Sequence, residues 1–223
     1  MGLKYKCLIL DHDDTAVDST AFIHYPAHLK VMEILRPGIK PIDLKGWFLK
    51  NFHPGIEKYL LHELQMDEEE FEKEYQIWRE FTTSRNPKFF PGFIETLYLY
   101  RERGGIIAVV SHSEKDIIEK HYRSYSKRFR LIPDIIFGWN DDRKKRKPSP
   151  WPVREILKTF KLRAENVLIV DDLKPAVLMS KKTGVPVAAA GWCHNIPVIM
   201  DYMKKNCLTY FETVNDFRDF ILT

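Results

Sequence analysis

Hydrophobic and polar positions divide the chain into two textures. Tyr5-Lys6-Cys7-Leu8-Ile9-Leu10 is a short, near-continuous apolar run and predicts a strand buried on both faces. From Ala16 to about Pro91 the apolar positions recur at helical spacing and no clear strand is visible. Ala21 to Leu35 predicts a helix ended by Arg36-Pro37-Gly38, and Ile42 to Phe52 and Ile56 to Leu64 predict two shorter ones. Met66 to Thr82 is strongly charged, yet it keeps Phe71, Tyr75, Trp78 and Phe81 on one side, a stripe read as core.

Past Phe90 strands return and alternate with helices. Ile106–Val110 and Val167–Val170 read as buried strands, Asp134–Phe137 as a short strand and Val185–Ala190 as a further strand. Phe93–Glu102, Lys115–Tyr122, Pro150–Phe160 and Pro175–Thr183 read as helices, two of them closed by glycine, and Ile196–Met203 and Val214–Leu222 as terminal helices. This alternation argues for βαβ units and a parallel sheet, so the expected class is α/β.

Composition narrows the picture little. The 223 residues allow one sizeable domain or a core with a small insert, and 44% hydrophobic with 30% charged content is ordinary for a globular chain. A net charge of +4 suits an anionic substrate and is too weak to argue for nucleic acid. Cys7, Cys193 and Cys207 form no CxxC pair and fit a reducing compartment. Neither a signal peptide nor a membrane span is expected, and a cytoplasmic location is.

The candidate chemistry lies where the strands end. Asp11-His12-Asp13-Asp14-Thr15 follows the first apolar run, and open α/β sheets bind ligands outside the carboxyl ends of their strands. Two carboxylates two residues apart in extended chain point the same way, and like charges held close need a cation or a proton between them. Hard oxygen donors of this kind suit Mg²⁺, and such a site can hold one aspartate as nucleophile and another as acid/base. His12, by alternation, points away from Asp11 and Asp13 and reads as packing or as a support behind the site. The run Ile106–Val110 ends in Ser111-His112-Ser113, where a hydroxyl and backbone N–H groups before a helix make an anion seat. Arg143-Lys144-Lys145-Arg146-Lys147 is a basic run before Pro148, and Val167–Val170 ends in the adjacent carboxylates Asp171-Asp172.

Asp11-His12-Asp13-Asp14-Thr15 resembles the first motif, Asp-x-Asp-x-Thr, of the haloacid dehalogenase-like superfamily. Ser111 resembles its second motif, a strand ending in Thr or Ser. Lys147-Pro148-Ser149-Pro150 resembles the third as found in the subfamily of β-phosphoglucomutase and phosphoglycolate phosphatase, although Trp151 stands where that subfamily usually has Asp. Asp171-Asp172 resembles the fourth. Phe90-Pro91-Gly92, Asp18-Ser19 and the helical stretch between motifs one and two also match the subfamily in position.

The resemblance implies a Rossmann-like, doubly wound, mostly parallel core formed by residues 1–17 and 90–223, with an inserted α-helical cap over 18–89. It implies a Mg²⁺-dependent phosphatase acting on a small phosphorylated metabolite through an aspartyl-phosphate. The carried-over catalytic residues are Asp11 as nucleophile, Asp13 as acid/base and Lys147 as charge partner. Ser111, the backbone of His112 and Lys147 are the expected phosphate ligands, and Asp11, Asp13, Asp172 and Asp171 the expected metal ligands. A phosphomutase shares these motifs. A dehalogenase of this superfamily lacks the second aspartate, so Asp13 counts against it. Alternatives of other classes are a catalytically weak binding protein and polyanion binding through Arg143 to Lys147. Residues 143–146 are expected to be unconstrained, with Lys147 alone directed inward by Pro148. Arg36, Lys40, Lys45, Lys50, Lys58 and Arg85 in the insert read as solvated charge, and His112 and His194 as groups lining the pocket.

Overall fold

In the computed structural model, residues 2–129 and 131–223 are described, with backbone alone at 126–129. The chain forms two compact units, residues 1–18 with 89–223, and residues 19–88.

The first unit is built on a six-stranded parallel sheet in the order β5-β4-β1-β6-β7-β8. Its strands are β1 (Cys7–Leu10), β4 (Ile106–Val110), β5 (Ile135–Phe137), β6 (Val167–Asp171), β7 (Val187–Ala190) and β8 (Thr209–Phe211). Two-residue strands, β2 (Val17–Asp18) and β3 (Lys88–Phe89), mark where the chain leaves and rejoins this unit. The Phe90 N–H donates to the Ala16 carbonyl at 3.0 Å and ties the two crossing points together.

The first strand made is central. Cys7 to Leu10 pair with Ile106 to Val109 on one edge and with Val167 to Val170 on the other. Both faces of β1 are therefore buried, as its unbroken apolar run requires. Side chains alternate between the faces. Leu8, Leu10, Ile107, Val109, Leu168 and Val170 share one core with the helices α5 (Phe93–Glu102), α6 (Lys115–Phe129) and α10 (Val214–Leu222). The opposite layer is α7 (Trp151–Thr159), α8 (Lys174–Thr183) and α9 (Pro197–Asn206), with α8 packed against both others, α7 on β4, α8 on β6 and β7, and α9 on β8. Helices on both faces make the sheet doubly wound. Each fully buried Leu, Ile or Val of this layer contributes roughly 1.5–3 kcal/mol. Gly105 is forced by packing, because a Cβ there would lie 2.1 Å from the Tyr100 ring, whose hydroxyl donates to the Tyr5 carbonyl at 2.8 Å.

The second unit is helical: a π-turn at Thr20–His24, then α1 (Tyr25–Leu35), α2 (Leu44–Phe52), α3 (Ile56–Lys58), a π-turn at Tyr59–Glu63, and α4 (Glu68–Ser84). Val31, Met32, Trp47, Tyr59, Leu60, Leu64 and Met66 form its core. Asp67 and Glu70 close a capping box on α4, which explains how so acidic a helix starts cleanly. The read of Arg36 as solvated charge is corrected. Its guanidinium binds the Glu70 carboxylate and the carbonyls of Leu64 and Gln65, clamping the α4 entrance to the end of α1. Lys50 pairs with Glu63, and Arg85 lies 3.9 Å over the Phe81 ring. His28 is buried in this unit and stacks on Trp47 at 4.3 Å, where burial pushes its imidazole down to about 4.

Candidate active site

The carboxyl ends of β1, β4 and β6 stand side by side, and the chain turns away from β1 on both edges there, which makes this the switch point of the sheet. Asp11 extends β1 by one residue, with its N–H on the Val170 carbonyl at 2.9 Å. After it the chain folds tightly: the N–H groups of Ala16 and Val17 both reach the His12 carbonyl, and Asp14 takes a left-handed φ of 60°. Asp tolerates that conformation better than most residues. The turn begins only after Asp13, which bridges to Val17, so Asp11 and Asp13 both precede it.

Asp11 faces Lys147. The ammonium Nζ donates to Asp11 Oδ1 and to Asp171 Oδ2, each at 2.6 Å, and all three side chains are nearly closed to solvent. Burial opposes the lysine charge, but the two carboxylates outweigh it and hold its pKa well above the ordinary value. Asp171 also accepts the Leu173 N–H at 2.9 Å through Oδ1. Asp172 differs, because its Oδ2 is buried and accepts no hydrogen bond.

Oxygens of Asp11, Asp171 and Asp172 lie within 4.8 Å of one another. The Asp13 carboxylate is not in that group; its Oδ2 accepts from the Ser113 hydroxyl at 2.5 Å. Burial, then Asp11 and Asp14, push Asp172 well above the usual carboxylate range. Burial also raises Asp171, with Lys147 pulling against it. One ammonium is too little positive charge for this group.

Ser111 is buried at the end of β4, where its hydroxyl accepts the Ser113 N–H at 3.1 Å and its own N–H goes to the Phe137 carbonyl. Gly138 permits this crossing, since a Cβ there would meet the Ser113 carbonyl and the Lys115 nitrogen at 2.6 Å. His112 is exposed, with Nε2 3.0 Å from the Lys147 carbonyl, so its ring braces the lysine backbone. His12 points away from the carboxylates, as alternation predicts. It is fully buried, 2.9 Å from His121 Nδ1 through Nε2, with the two rings stacked.

The expectation that residues 143–146 are unconstrained is corrected. Arg143–Lys145 form a 3₁₀ turn capped by Asp142. Arg146 is buried, with its guanidinium 3.5 Å over the Trp139 ring and bonded to the Asn140 carbonyl. It thereby fixes the residue before Lys147. Lys144 and Lys145 remain exposed.

Sequence reasoning missed the roles of Ser113, Arg146 and Cys193, and it placed His194 at the pocket without a partner. The Cys193 thiol is hydrogen-bonded to Asp14, and burial together with Asp14 and Asp172 pushes it far up, so it is held as an inert thiol. His194 stands 3.5 Å from Asp172, and burial lowers its pKa.

The family model for haloacid dehalogenase-like hydrolases matches residues 8–190, a span that contains every residue of this site but Cys193 and His194. Solved structures agree in fold. A candidate haloacid dehalogenase-like hydrolase from Bacteroides fragilis superposes with a TM-score of 0.78 at 20% identity, over 96% of this chain and 100% of its own. A candidate phosphoglycolate phosphatase from Lactobacillus plantarum gives 0.72 at 22% identity, over 98% and 99%. CbbY from Rhodobacter sphaeroides, solved in complex with phosphate, gives 0.68 at 16% identity, over 94% of each chain. No curated protein sequence matches. With the family model spanning both the sheet and the carboxylate cluster at its switch point, the chain belongs to the haloacid dehalogenase-like hydrolases.

Proposed function

We propose that the protein is a Mg²⁺-dependent phosphatase that hydrolyses a small phosphomonoester through a covalent phosphate on Asp11. The observation that carries the reading is the buried Lys147 ammonium held between Asp11 and Asp171 at the end of the central strand. A lysine so placed shields the charge of an attacking carboxylate from that of a phosphoryl group.

The donor set fits Mg²⁺. Asp11, Asp171 and Asp172 offer hard oxygens in one buried group, and the unbonded Asp172 Oδ2 is an acceptor left for a cation. Asp171 already serves Lys147 and Leu173, so Asp11 and Asp172 are the better cation ligands. When bound, the ion neutralises charge on the phosphoryl oxygens.

The remaining work falls to the chain. An Asp11 oxygen attacks phosphorus and the bond to the leaving oxygen breaks, while Asp13 gives that oxygen a proton. Asp13, now a carboxylate, takes a proton from the water that attacks the phosphorylated Asp11, and phosphate leaves. Ser111 and Lys147 hold the phosphoryl oxygens in both steps. Release of phosphate from an aryl phosphate, measured with Mg²⁺ and with EDTA, tests the reading. Turnover that EDTA abolishes is expected, followed by a preferred substrate in a panel of phosphorylated metabolites. A well-folded protein without turnover on the whole panel would overturn it.

A further inference from the structure

Beyond β7, Gly191-Trp192-Cys193-His194 returns over the carboxyl edge of the sheet. Its path is set rigidly. The Gly191 N–H donates to the Phe211 carbonyl at 2.8 Å, and a Cβ on Gly191 would strike the Tyr210 ring at 2.2 Å. The Trp192 indole donates to the Thr15 carbonyl at 3.0 Å and packs its ring near Phe93 and Phe217. A side chain two residues beyond such an anchor arrives in a defined place.

That side chain is His194, whose Nε2 lies 3.5 Å from Asp172 Oδ2, with the two side chains 7% and 2% exposed. The separation exceeds an ordinary hydrogen bond, so the two groups are close without being bonded. A buried carboxylate oxygen with no donor is costly, and it is the oxygen the imidazole faces.

We propose that His194 is a positioning residue for the divalent cation: its Nε2–H closes onto Asp172 Oδ2 and holds that carboxylate in the orientation that binds the ion. The inference rests on the Mg²⁺ reading above. Carboxylates that ligate metals are themselves oriented by hydrogen bonds from a surrounding layer, and loss of such a partner costs roughly 10- to 100-fold in metal affinity. His194 lies outside the span matched by the family model. Asp14 also faces this corner, and its side chain is taken by the Cys193 thiol.

Calorimetric titration of the full-length protein with Mg²⁺, without substrate, tests the proposal. His194→Ala and His194→Leu both remove the donor, the second keeping bulk, so one of them reports should the other fail to fold by circular dichroism. His194→Gln returns an N–H donor near the Nε2 position. The expected result is a dissociation constant raised roughly 10- to 100-fold in the folded Ala or Leu variant, with most of the loss recovered in His194→Gln. Unchanged affinity in a folded Ala or Leu variant overturns the role of His194 and leaves the Mg²⁺ reading standing. So does a Gln variant as weak as the others, which would make the ring a packing element. A wild-type protein that takes up no Mg²⁺ overturns both readings at once.

Discussion

The Ser113 hydroxyl donates to the Asp13 carboxylate at 2.5 Å, joining the end of β4 to the turn after β1. The contact holds the proposed acid/base in one place. A positioned acid/base contributes roughly 10²–10⁴-fold, so Ser113→Ala, which removes the group holding Asp13, should lower kcat by roughly tenfold or more. The loss should be greater for alkyl than for aryl phosphates, because a poor leaving group needs the proton from Asp13. Ser113→Thr should restore most of it. A loss equal for both substrate types would mean that Ser113 does not act through Asp13.

Asp11→Asn should abolish turnover and leave the fold intact. The amide keeps the shape of the side chain, and Lys147 retains Asp171 as partner. Mass spectrometry of enzyme mixed with substrate and rapidly quenched in acid should show an added phosphoryl group on the wild type and none on the variant. A phosphorylated Asp11→Asn chain would place the nucleophile elsewhere.

Lys147 should stand apart from its basic neighbours. Lys147→Ala should cost about 2.7–4 kcal/mol of transition-state stabilisation, comparable to losing one oxyanion donor. Lys144→Ala and Lys145→Ala should change kcat/KM little, with a small salt-dependent effect at most. Arg146→Ala should act through stability instead, removing a cation–π contact of about 0.5–2 kcal/mol. Steady-state kinetics at two ionic strengths, with melting temperatures alongside, separate the three behaviours. Equal kinetic losses at positions 144, 145 and 147 would reinstate a diffuse basic patch.

His28 should make the helical unit sensitive to acid. Its folded pKa is about 4 against 6.5 for the free side chain, with burial as the cause. Between those values the unfolded chain binds the proton and the folded one does not, so stability is full above pH 6.5 and falls as the pH drops toward 4. The loss across that window is about 3 kcal/mol. His28→Phe keeps a ring against Trp47 and should flatten this part of the profile. Urea unfolding from neutral pH to pH 4 decides it; parallel profiles for wild type and variant would remove His28 as the cause.

The sheet was legible because β1, β4, β6 and β7 are short apolar runs with polar ends, a pattern that a doubly wound core imposes directly. β8 was not, because Thr209-Tyr210-Phe211 is only three residues, two of them half-buried, with no continuous apolar run. Asp11, Lys147, Asp171 and Asp172 could be picked out because each follows a strand or precedes a proline. Ser113 and His194 carry no such mark. Their partners lie 100 and 22 residues away, and only the folded path of the chain brings them together. Arg146 was misread for a similar reason: one arginine in a basic run looks solvated until Trp139 lies beneath it.

The order of strands has a consequence for synthesis. β1 is translated first and sits between β4 and β6, and the helical unit is made before either partner. Until residue 106 emerges, Cys7–Leu10 has two open edges and no sheet to join, and the second edge stays open until residue 167. An apolar strand in that condition is a template for mispairing between nascent chains. The helical unit, with its local contacts and its own core, is suited to fold during that interval, leaving the amino-terminal strand as the segment most in need of chaperone cover.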